Sequence, residues 1–131
     1  YELVLFETVS HKGDSIYHTD VFMYVGQKVI GICFDVILPE FRDLVRNKVT
    51  RFHDVFEITE SQILDFCGNS LEAKNKDNEF FLIMSSRAFN ALTEDQKNQL
   101  SKYYKEVIHS DLTTIEKYGG GSARCMLNEL F

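Results

Sequence analysis

The sequence predicts an α+β chain built on a repeated strand–strand–helix–strand unit. Three observations carry this. Val29–Phe34 and Phe80–Met84 are short, near-continuous apolar runs, as in strands buried on both faces. Thr59 with Gln62 and Thr93 with Gln96 have the spacing of capping boxes, which mark helix starts. The order strand, strand, helix, strand, short helix also occurs twice, with a period of about fifty residues, and the chain ends as a third copy opens. The repeat is one of pattern rather than of letters.

The elements follow in order. Leu3–Phe6 reads as a strand, and His11–Asp14 as a turn. Ser15–Val25 alternates well enough for a strand, with Gly26–Lys28 turning the chain into Val29–Phe34. Pro39 suits a helix start, and Phe41, Leu44, Val45 and Val49 recur at helical spacing through Arg51. Asp54–Ile58 is a strand and Glu60–Phe66 a capped short helix. The second unit has a strand at Ser70–Ala73, a polar turn at Asn75–Asn78 and a strand at Phe80–Met84. Helices follow at Ser86–Leu92 and from Thr93 to Tyr104, then a strand at Lys105–His109. Asp111 caps a helix over Leu112–Tyr118, which the glycines end, and Ser122–Leu130 reads as a final strand.

Composition narrows the class. The 131 residues suit one domain with a real core, and the apolar and charged fractions are those of an ordinary globular chain. A net charge of −6 argues against a nucleic-acid surface, and no apolar run reaches the length of a membrane span. Cys33, Cys67 and Cys125 are odd in number and widely spaced, unlike a disulfide framework or zinc site; a reducing, cytoplasmic setting is expected. The chain opens on Tyr1 in strand-like sequence and closes on apolar Phe131, so it reads as a piece of a longer chain.

The chemistry concentrates around Cys125. A cysteine in an apolar run reads first as a small core residue. The three glycines Gly119–Gly121 just before it supply backbone freedom and let a ligand come close. His18, Asn69 and Cys125 stand at similar phases of successive units, so units arranged about a pseudo-symmetry axis bring them to one place. A thiol with a free pKa of about 8.5 needs a base, and His18 is the candidate. Asp20, two residues on in a strand, shares a face with His18. It reads either as a carboxylate for a cationic substrate or as a surface residue. His11, His53 and His109 read as surface or packing residues, Cys33 and Cys67 as buried structural thiols, Arg124 as an ion-pair partner, and Met126 and Leu127 as core.

Tyr17-His18-Thr19-Asp20-Val21-Phe22-Met23, Gly68-Asn69-Ser70-Leu71-Glu72 and Gly119-Gly120-Gly121-Ser122-Ala123-Arg124-Cys125-Met126-Leu127-Asn128-Glu129 together resemble the amidinotransferase/arginine deiminase (pentein) superfamily, closest to its citrulline-utilising hydrolase branch. The likeness runs from about Phe6 to Phe131. It implies a pentein α/β propeller, five strand–strand–helix–strand units around a channel, of which this chain would be the C-terminal two and a half. The N-terminal units, on the same protein or another chain, would bring further carboxylates. It also implies Cys125 as nucleophile and His18 as general acid/base, with Asp20, Asn69 and Gly121 at the substrate. Asp20 departs from the branch, where Asn is usual, and matches the His-x-Asp of arginine deiminases instead. That leaves citrulline-like and arginine-like substrates both open.

The implied activity is cysteine-dependent cleavage of a C–N bond in a guanidino or ureido compound, by hydrolysis or by transfer to an amine, with neither metal nor organic cofactor. The competing reading is a non-catalytic pentein fragment serving as a binding or assembly module, because fold alone does not decide activity.

Overall fold

The computed structural model describes residues 2–128. In chain order the elements are β1 (Met23–Val25), β2 (Val29–Ile32), α1 (Pro39–Val49), β3 (Asp54–Glu57), α2 (Glu60–Leu64), β4 (Leu71–Lys74), β5 (Phe80–Ser85), α3 (Ser86–Ala91), α4 (Glu94–Leu100), β6 (Glu106–Ser110), α5 (Thr113–Gly119) and α6 (Ala123–Met126). They form two three-stranded sheets of the same design, β1-β2-β3 and β4-β5-β6. In each, a hairpin pairs the first two strands antiparallel, with Met23 opposite Ile32 and Leu71 opposite Ile83. The third strand then lies parallel to the second, Val29 opposite Asp54 and Phe81 opposite Glu106. A parallel partner needs a crossover of a dozen or more residues. In the first unit α1 provides it; in the second, α3 and α4.

The local signals act as their chemistry requires. Pro39 opens α1, where its missing N–H costs nothing. Both capping boxes are closed on both sides, at Thr59/Gln62 and Thr93/Gln96. The two glutamines also meet each other. Gln96 Nε2 donates to Gln62 Oε1 at 3.0 Å and to the Glu57 carbonyl at 3.0 Å, and Gln62 Nε2 donates to the Ala91 carbonyl at 2.9 Å. Tyr103 Oη to Asp54 Oδ2 at 3.0 Å and Gln99 Nε2 to the Val55 carbonyl at 3.2 Å extend this seam. The second unit is thereby tied to the edge strand of the first. One apolar core spans both sheets, with Phe22, Ile32, Phe56, Leu82, Met84 and Leu100 among its fully buried members.

Three expected elements differ. Leu3–Phe6 is not in a strand: no ladder partner lies beside it, and Leu3 and Leu5 are exposed. Phe6 packs against the core, edge-on to Phe22. The strand expected over Ser15–Val25 is confined to β1, because Thr19–Val21 forms a 3₁₀ turn with His18 as its N-cap. His18 and Asp20 therefore do not share a strand face. The expected strand from Ser122 is instead α6 over its described part. A strand needs ladder partners for its N–H groups, whereas those of Ser122 and Cys125 go to one side chain, Asn69. Among the described residues no strand opens a third unit, and Glu129 and Leu130 lie outside them. Met126 and Leu127, expected in the core, are largely exposed as a result. Among the described residues, Arg124 donates to the Leu127 carbonyl at 3.3 Å and to no carboxylate.

Candidate active site

Three loops converge on one cleft. The first is the 3₁₀ turn Thr19–Val21, held by the Phe22 N–H on the Thr19 carbonyl. The second follows α2. Phe66 there has φ +65°, a left-handed conformation that an aromatic residue adopts at a cost. It reverses the chain so that the Cys67 N–H returns to the Gln62 carbonyl and the Asn69 N–H reaches the Phe66 carbonyl. The third is the glycine segment. Gly120, at φ +71°, ends α5 in the left-handed cap that glycine accommodates, and α6 follows.

The loops interlock closely. A Cβ on Gly68 would meet the backbone of Val21 and Phe22, at 2.8 Å and 2.9 Å from their carbonyl carbons. The absence of a side chain there is what lets the Asp20 turn lie against the Asn69 loop. The glycine segment is anchored from behind, where Ser122 Oγ donates to Glu116 Oε1 at 2.7 Å. Glu116 and Ser122 are both buried.

The side chains meet at the sulfur. Asn69 Nδ2 donates to Cys125 Sγ at 3.1 Å and to Asp20 Oδ2 and the Asp20 carbonyl, each at 3.2 Å. The Cys125 thiol lies 3.3 Å from Asp20 Oδ2, close enough to donate to it. On its other side the Asn69 amide accepts, through Oδ1, from the Ser122 N–H at 3.1 Å and the Cys125 N–H at 3.4 Å. The cleft in front of Cys125 has a volume of about 330 Å³. His18, Asp20, Asn69, Gly121 and Cys125 all line it, with Val21, Ile63 and Phe66 as an apolar wall. Among the described residues, no group of three or more His, Cys, Asp or Glu side chains is placed to hold a metal ion. None of their helices is long and apolar enough to cross a membrane.

The structure thus brings Asp20, Asn69 and Cys125 into mutual hydrogen-bond contact and puts His18 and Gly121 on the same cleft. Cys125 is exposed, while Cys33 and Cys67 are buried. Burial pushes both buried thiols up, Cys67 to about 12. Of the other histidines, His11 pairs with Glu60 and His109 stacks on Phe89 with its Nδ1 2.9 Å from Ser86 Oγ. Neither lines the cleft. The sequence reading missed Phe66 and Ile63 in the cleft wall and Glu116 behind the glycines. The φ of Phe66 leaves no mark in the sequence, since aromatic residues rarely adopt it.

Gly121 leaves no room for a side chain beside the nucleophile candidate. A Cβ there would lie 2.8 Å from Cys125 Sγ and 2.9 Å from its Cβ. Gly121→Ala is therefore expected to turn the thiol out of its place between Asn69 and Asp20. Alkylation of Cys125 should change severalfold in rate, with little change in the far-ultraviolet circular dichroism. An unchanged rate would show that the contact places nothing.

Comparison with known proteins agrees with this architecture. The fold is similar to the apo crystal structure of ArgZ, an arginine dihydrolase from the ornithine-ammonia cycle in cyanobacteria. The TM-score is 0.62 at 18% sequence identity, and the match covers 84% of this chain and 15% of that one. The chain thus spans a small part of that larger protein. No curated protein matches it. The sequence model of the family described as N,N dimethylarginine dimethylhydrolase, eukaryotic, matches residues 1–131. With the whole chain matched, this protein belongs to the eukaryotic N,N-dimethylarginine dimethylhydrolase family.

Proposed function

We propose that the chain carries the nucleophile half of a cysteine-dependent hydrolase acting on the C–N bond of an arginine-derived guanidino or ureido compound. The observation that carries this is the seat of Cys125. An exposed thiol lies in a cleft, hydrogen-bonded to an amide and a carboxylate, with an imidazole on the same cleft. Family membership and the ArgZ fold support the reaction class.

In the proposed mechanism the Cys125 thiolate attacks the planar guanidino or ureido carbon. His18 protonates the departing nitrogen, which leaves as ammonia or an amine. A water deprotonated by His18 then releases the carbon from sulfur. One residue serves as acid and then as base, and two steps replace attack of water on a resonance-stabilised carbon. The Asp20 carboxylate pairs with the cationic end of the substrate, and the wall of Val21, Ile63 and Phe66 takes its apolar part. Further carboxylates come from propeller units on another segment or chain, the two sheets described here being two blades. Arginine, citrulline and N-methylated arginine are the substrates to assay, alone and with an acceptor amine to separate hydrolysis from transfer.

Chloroacetamidine tests the nucleophile directly, since its amidinium mimics the substrate and its halide needs a thiolate. Peptide mass spectrometry should find Cys125 modified well ahead of Cys33 and Cys67, which burial keeps protonated at neutral pH. Equal, slow modification of all three would sink this reading and favour a binding or assembly module.

A further inference from the structure

Within the reading of Cys125 as nucleophile, the geometry points to Asn69 as the residue that positions its sulfur and stabilises it as thiolate, not as a substrate ligand. Asn69 is 4% exposed, and the hydrogen-bonding capacity of its amide is used up within the protein. Oδ1 accepts from two backbone N–H groups, those of Ser122 and Cys125. Backbone N–H groups can only donate, so they settle which end of the amide is oxygen. Nδ2 must therefore face the sulfur and Asp20, and its two hydrogens go to Cys125 Sγ at 3.1 Å and to Asp20 at 3.2 Å. A substrate reaching Asn69 would find no free donor.

The arrangement has an electrostatic consequence. Asp20 Oδ2, 3.3 Å from the sulfur, accepts the thiol proton and opposes a second negative charge beside it. The Asn69 donor acts the other way, since a hydrogen bond to the charged form favours that form. Among the described residues, the other charged or titratable groups lining the clefts beside the sulfur are His18, Tyr17 and, next to Cys125 on α6, Arg124. The Asn69 loop and the end of α2 bring only Ile63 and Phe66 to the cleft. One buried amide thus closes the turn that carries the nucleophile and tunes the nucleophile itself. Because Asn69 sits in the loop reversed at Phe66, both effects depend on that strained residue.

The test is the pH dependence of Cys125 alkylation by iodoacetamide, read by peptide mass spectrometry, in the wild-type chain and in Asn69→Asp. The variant keeps an oxygen for the Ser122 and Cys125 N–H groups but sets a carboxylate, in place of the amide donor, against the sulfur. The midpoint of the rate profile is expected to rise by about one unit or more, a tenfold slower reaction at neutral pH. A folded variant with an unshifted midpoint overturns the proposal, because losing the donor and placing a carboxylate beside the sulfur both disfavour the thiolate. Asp20→Ala gives a second measurement should the first variant not fold. With the carboxylate gone and Asn69 still donating, the midpoint should fall below the ordinary thiol value of about 8.5; a midpoint at or above it is equally fatal. Failure of the underlying reading looks different. There the wild-type Cys125 reacts no faster than an exposed cysteine of a model peptide, yet the midpoint still moves with residue 69.

Discussion

Cys125→Ser is expected to lower kcat in the intact enzyme on the order of a millionfold, the scale of removing the nucleophile from a covalent catalyst. Serine keeps the size and the hydrogen-bonding seat between Asn69 and Asp20. It lacks an accessible anion. A free cysteine has a pKa of about 8.5 and is a few per cent thiolate at neutral pH, whereas a hydroxyl is essentially all protonated. Substrate binding should survive, because Asp20, His18 and the apolar wall are untouched. The loss should therefore fall on kcat with KM nearly unchanged. Steady-state assays with arginine, citrulline and N-methylated arginine check this. Turnover within tenfold of wild type on the preferred substrate would rule out Cys125 as nucleophile.

The second large effect is expected from a residue that bears no functional group. Gly68→Ala places a methyl against the backbone of Val21 and Phe22, at 2.8 Å and 2.9 Å from their carbonyl carbons. Real Cβ atoms do not come so close, and backbone, unlike the end of a long side chain, cannot swing aside. Phe22 is fully buried in the core, so the 3₁₀ turn can retreat only by disturbing that packing. Overpacking of this kind costs about 1–3 kcal/mol, a fall in Tm on the order of 5–10 °C for a chain of this size. Asp20 retreats with the turn, and its contacts with Asn69 and Cys125 are lost. Thermal melting followed at 222 nm, with chloroacetamidine labelling on the same sample, reads both consequences. A melting curve within a degree of wild type together with unchanged labelling would show that the loop interlock is not tight.

Much of the fold was legible because its signals are local. Pro39, the two capping boxes and the Gly120 turn each satisfy or release backbone groups within one turn of chain. The apolar run of β2 advertises the burial on both faces that it has, while that of β5 buries Leu82 and Met84 and leaves Phe81 and Ile83 half-buried. Their repetition was enough to expect two units of one design. The candidate site residues were legible differently. Spacing suggested that His18, Asn69 and Cys125 converge, but the roles of Asn69 and Gly121 rested on likeness to a family, and that of Asp20 also on a shared strand face that the 3₁₀ turn replaces.

The strand readings failed where a strand depends on a partner distant in sequence. Leu3–Phe6 has apolar residues but no ladder beside it. The segment after Ser122 looks apolar enough for a strand, yet its N–H groups are claimed by Asn69, more than fifty positions upstream. The pairing of Gln62 with Gln96 is of the same kind. Each glutamine announces a helix start by itself, and only the packing of the second unit on the first makes them hydrogen-bond.

The sequence by itself therefore determined the repeated unit, the helix starts within it and a glycine approach to one cysteine. Each of these follows from groups satisfied within a few residues. Only the tertiary structure decided that Cys125 lies within a short helix rather than extending a strand, and that the Asn69 side chain spends its hydrogen bonds on the Ser122–Cys125 segment and Asp20. It alone also showed that Gly68 must lack a side chain. Those facts arise from contacts between three loops separated along the chain, where the nearest atom to a residue is one that no local pattern names.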